Sequence, residues 1–140
     1  MARDPVDALL RMRGFATREA RRVLGLRVQS EVALGAEAAA SAAAPAREQA
    51  KGGDPLLIAA WMPRALAEAA RAAAQAGHAA RMRDAAQLGL AEARRQERVL
   101  ESLAEARAAM RASLAARREQ ARLDDRAGAR HGAANEGRIR

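Results

Sequence analysis

The chain has 140 residues and a formal net charge of +8, with no cysteine, no tyrosine, one phenylalanine and one tryptophan. Its 50% hydrophobic content is mostly methyl groups, since 42 of the residues are alanine, and side chains large enough to fill a thick globular core are scarce. This balance excludes a disulfide framework and a thiolate metal site. It favours helix almost everywhere, because alanine, arginine, leucine and glutamate are good helix formers and strand-forming residues are few.

In chain order, Asp4-Pro5 reads as an N-cap followed by proline at the first helical position, where the missing N–H costs nothing. A helical pattern then runs from residue 5 to about residue 44. Val6, Leu10, Ala20, Leu24 and Leu34 share one stripe, flanked by Leu9, Ala16 and Val23, while Arg13 and Arg27 also fall on that face. Seven arginines stand between Arg3 and Arg27 against Asp4, Asp7 and Glu19, a local excess that reads as a solvated face open to anionic contact. Pro45 and Lys51-Gly52-Gly53 interrupt the pattern, so the turn of a helical hairpin is expected at residues 45–54. Asp54-Pro55 repeats the capping signature and opens a second helix, expected over residues 55–125, with Pro63 either kinking it or separating a short first turn.

Between Glu92 and Asp125 a heptad reading puts Leu100, Arg107, Leu114 and Ala121 at one core position and Leu103, Met110, Arg117 and Asp124 at the other. Glycines at 128, 132 and 137 then mark residues 127–140 as a disordered basic tail. The fold class is therefore all-α: an antiparallel two-helix coiled-coil hairpin over residues 1–126, with a long second helix and a flexible end. A first helix of this length leaves part of the second, about Val99 to Leu123, without an internal mate. An apolar stripe there implies a protein partner.

Catalytic chemistry is not expected. His78 and His131 are the only histidines, neither near a nucleophile or a set of ligands, and Gly52-Gly53 is not a phosphate loop, since no strand precedes it and no Lys-Ser or Lys-Thr follows. The sequence predicts neither cofactor nor metal. Carboxylates interleave with the arginines and no aromatic platform exists, so specific nucleic-acid binding is not expected either. The first residues lack the apolar stretch of a signal peptide, and the run from Leu56 to Met62 is far short of the roughly 20 residues that span a bilayer. A cytoplasmic location is the expectation.

Two segments carry a family resemblance. Leu10, Arg18-Glu19-Ala20-Arg21 and Leu24 are similar to the opening helix of the flagellar export protein FliJ family, and Arg117-Arg118-Glu119-Gln120, Leu123-Asp124-Asp125, Ala127 and Arg130 look like its closing segment. The remainder resembles it in architecture. The resemblance implies a coiled-coil stalk of the type III export apparatus, held peripherally at the inner membrane, with three partners: the flagellar export ATPase, the cytoplasmic domain of the export gate, and export chaperones.

It also implies a gate contact early in the second helix at spacings of four, three and four residues, which Met62, Leu66, Ala69 and Ala73 reproduce beside Trp61. The ATPase contact then falls on the unmated stretch, at Leu100, Leu103, Met110, Leu114 and Leu123. Two features depart from the family: the first helix is short, and the aromatic residues around the gate contact reduce to Trp61. Trp61, Met62 and Leu66 would otherwise serve to close the hairpin. The alternative readings are a generic coiled-coil adaptor or oligomerisation protein and an Arg-rich helical nucleic-acid binder.

Overall fold

A computed structural model describes residues 4–136. It contains two helices, α1 (Pro5–Ala50) and α2 (Pro55–Glu136), and no strand among the described residues. The antiparallel helical hairpin expected from the sequence is the observed fold, with the second helix the longer at 82 residues against 46.

Both Asp-Pro signatures act as read. Asp4 Oδ1 accepts from the Val6 N–H at 3.0 Å and Asp54 Oδ1 from the Leu56 N–H at 2.9 Å. Each satisfies one of the donors that a helix start leaves free.

The boundaries shift in three places. α1 continues to Ala50 rather than ending near residue 44, with Pro45 inside it. Proline removes one backbone donor and crowds the preceding turn, and here Arg47 Nη2 donates to the Ala40 carbonyl in that turn at 2.6 Å. The connection is correspondingly short, Lys51 to Asp54, closed by the Gly52 N–H on the Gln49 carbonyl at 3.1 Å. Gly52 has φ +70°, a left-handed conformation that a side chain resists and glycine accepts. α2 starts at Pro55 and passes through Pro63 without a separate first turn.

At its far end α2 runs to Glu136, past the expected stop at Asp125 and through much of the segment read as a tail. Gly128 and Gly132 each cost about 1 kcal/mol relative to alanine, and the helix formers around them carry that cost. Residues 137–140 of the expected tail lie outside the described residues.

The chain divides into two compact units: Arg11–Glu97, and Met1–Leu10 with Arg98–Arg140. In the first, α2 presents Ala65, Ala72, Ala79 and Leu90 buried, with Ala69, Ala76, Arg83, Ala86, Ala93 and Glu97 half-buried between and after them. The alternation of four and three residues is that of a coiled-coil seam. α1 answers with Thr17, Ala20, Leu24, Glu31, Leu34, Ala38, Ser41, Pro45 and Glu48 at the same spacing. Small side chains let the two backbones approach closely, so packing is made from alanine and not from bulk.

Two polar pairs cross this seam. Arg13 Nη1 donates to Gln96 Oε1 at 2.6 Å. Arg83 Nη2 donates to Glu31 Oε1 at 3.1 Å, while its Nε lies 3.0 Å from Glu31 Oε2 as an ion-pair contact.

In the second unit Val6 is buried, and Leu10, Leu100 and Ala104 are half-buried. Asp4 closes this end: its Oδ2 accepts from Arg111 Nη1 at 2.6 Å, and its Oδ1 lies 3.6 Å from Arg107 Nη1. The α2 seam thus runs through Leu100 and Ala104, and the expected pairing of Leu100 with Leu103 is one residue out of phase. In this unit the step of four residues from Leu100 arrives at Ala104; reading only the large residues selects Leu103 instead.

Candidate protein-binding surfaces

The first surface is at the hairpin turn. Asp54 and Pro55 start α2 beside the last turn of α1, and the next residues are Leu56 and Leu57. Both are exposed. Ile58, Trp61 and Met62 are half-buried, and Leu66 is exposed one turn further on. Two grooves open here. One, of about 740 Å³, is lined by Pro55, Ile58, Met62, Pro63 and Leu66 on α2 and by Gln49 on α1. The other, about 380 Å³, lies between Glu48, Leu57, Ile58 and Trp61. Ile58 forms part of both.

The residues expected to contact an export gate are divided by this geometry. Met62 and Leu66 line the larger groove and Trp61 the smaller. Ala69 is drawn onto the seam, and Ala73 is exposed two turns beyond the groove. A stripe read at four, three and four residues keeps the period of the seam, but it takes Leu66 and Ala73 where the seam takes Ala65 and Ala72, so alternate members fall outside it. Leu56, Leu57, Ile58 and Pro63 were not among the expected site residues. The signal for them was the run Leu56–Met62, too short for a bilayer and too apolar for a solvated turn.

The second surface is on α2 in the unit formed by Met1–Leu10 with Arg98–Arg140. Leu103, Met110 and Leu114 are 42%, 66% and 46% exposed. At 100° per residue they lie within a narrow arc, joined by exposed Val99. Of the five residues expected to meet an export ATPase these three stand together. Leu100 is on the seam, half-buried. Leu123 is nine residues from Leu114, which puts it on the opposite side of the helix.

The unmated stretch also begins later than expected. The first turns of α1 cover the helix as far as Ala104, and Asp4 reaches Arg111, because α1 is longer and the turn tighter than the sequence reading allowed. From Ala112 to Ala129 every side chain is exposed. Local pairs hold this stretch, Arg122 with Glu119 at 3.6 Å and Gln120 with Asp124 at 2.8 Å.

The cluster at the start of α1 shifts one titration. The hydrogen bond from Arg111, then that from the Val6 N–H, with the charges of Arg111 and Arg107 adding to them, holds the Asp4 carboxyl below its ordinary value. His78 is exposed on α2. Among the described residues no three His, Asp or Glu side chains gather as a metal site requires, and no helix is long and apolar enough to cross a membrane.

No family model matches the chain, and comparison with curated proteins and with solved structures finds no match.

Proposed function

We propose that the chain is a coiled-coil arm that binds other proteins through exposed apolar side chains, without chemistry of its own. Within that class it is a FliJ-like stalk of the flagellar type III export apparatus. Leu103, Met110 and Leu114 engage the export ATPase ring; Trp61, Met62 and Leu66 engage the cytoplasmic domain of the export gate, and export chaperones are escorted. Its place is the cytoplasmic face of the inner membrane, held there by these partners.

The observation that carries this reading is the stretch of α2 beyond Arg111, helical and with every side chain exposed from Ala112 to Ala129, entered by an apolar stripe. A helix with such a stripe and no internal mate gains by burying it against a partner, at roughly 1.5–3 kcal/mol for each large apolar side chain. The two end segments similar to FliJ support the choice of partner.

The test is co-purification with the export ATPase. Leu103→Asp with Leu114→Asp should abolish ATPase binding while far-UV circular dichroism stays unchanged, since both side chains are exposed in the hairpin. Normal binding by the double variant would remove this stripe as the contact. A wild-type chain that binds no ATPase, and instead doubles its mass through the same leucines, would establish the oligomerising adaptor.

A further inference from the structure

The arginines of α1 are not used by either surface, and helix geometry sorts them. Arg13 faces the seam and bonds Gln96. Arg11, Arg18 and Arg22 recur at seven and four residues, which places them on one strip of the helix with Phe15 among them. All four are exposed, on the side away from Thr17, Ala20 and Leu24.

Phe15 is the chain's one phenylalanine and is 67% exposed, although a ring of that size ordinarily goes to a core. The Arg18 guanidinium lies 4.5 Å from its centroid, covering one face and leaving the rest open. Arg22 has only a 3.8 Å contact with Glu19, between exposed groups, which water screens and a partner easily displaces. From Arg11 to Arg22 the strip itself contains no carboxylate.

We propose that the strip Arg11, Phe15, Arg18 and Arg22 docks an acidic amphipathic helix of another protein. The spacings choose this occupant. Arg11 and Arg18 are about 10.5 Å apart along the axis and Arg18 and Arg22 about 6 Å, at a rise of about 1.5 Å per residue. A helix lying alongside repeats those distances, so its carboxylates at intervals of seven and four residues meet the guanidiniums in step. An apolar side chain between them covers the free part of the Phe15 ring. A nucleic-acid strand would be offered a single ring and no second platform on which to stack. This surface is separate from those assigned to the export partners and does not depend on that assignment.

The experiment titrates the full chain into a fluorescently labelled helical peptide that carries glutamates seven and four residues apart and a leucine between them, read by anisotropy at physiological salt. Phe15→Ala should weaken binding about tenfold, and the triple variant Arg11→Gln, Arg18→Gln, Arg22→Gln at least as much. A control removes the same charge elsewhere on exposed positions of α2, as Arg64→Gln, Arg71→Gln, Arg81→Gln; it should change affinity less than about threefold. Circular dichroism of all variants should match the wild type. The proposal is overturned if strip and control variants lose affinity equally, if the peptide does not bind, or if single-stranded DNA or anionic lipid vesicles bind more tightly in a Phe15-dependent way.

Discussion

Thr17 is 2% exposed on the seam, and its hydroxyl has no hydrogen-bond partner among the described residues. A buried, unpaired hydroxyl costs on the order of 1 kcal/mol or more, so Thr17→Val, which keeps the branched shape, should raise the melting temperature; a fall would mean that the hydroxyl is satisfied in solution. Asp4 gives a prediction of opposite character. Its carboxyl has an ordinary value of 3.8, lowered in the folded chain by Arg111, the Val6 N–H and Arg107. A depressed value means that the ionised form stabilises the folded state: the contribution is complete above the ordinary value and disappears as pH falls through the folded one. Asp4→Asn retains a capping side chain but not the charge. Its melting temperature should lie below that of the wild type at neutral pH, and the two should converge in strong acid. A gap that persists below both values would mean that Asp4 acts through shape and not charge.

At the scale of the helices, what was legible depended on whether the signal was local. The two caps follow from Asp-Pro pairs and needed nothing beyond neighbouring atoms. The end of α1 did not follow, because Pro45 reads as a stop, whereas the helix gives up one backbone bond, to the Ser41 carbonyl, and the helix formers on either side carry it on to Ala50. Most of the α1 stripe was readable from Val6, Leu10, Ala20, Leu24 and Leu34, including the intrusion of Arg13. On α2 the stripe is written in alanine, a residue too common here to mark a face, and the phase slipped by one at Leu103. The alanine seam is itself testable. Ala79 is buried, and enlarging it as Ala79→Leu would push the backbones apart, a cost of about 1–3 kcal/mol seen as a lower denaturation midpoint. At the turn, Gly52→Ala should cost about 1–2 kcal/mol through its positive φ alone, because nothing stands within 4 Å of the added methyl. Equal stability of the alanine variant would show that the turn relaxes.

For the molecule as a whole, the fold class was contained in composition, since few large side chains and abundant alanine leave a pair of close-packed helices as the natural way to bury anything. The candidate surfaces were legible in part: Leu103, Met110 and Leu114 fell together because their spacing alone defines an arc, whereas the turn groove also needs the α1 residues Gln49 and Glu48, which only the hairpin brings to it. Trp61, half-buried beside that turn, has a further consequence. With one indole and no tyrosine in the chain, nearly all ultraviolet emission originates at this point. The protein therefore carries an intrinsic optical reporter of the turn: an occupant entering the grooves should move the emission maximum to the blue, and one seated on Leu103 and Leu114 should leave the colour unchanged.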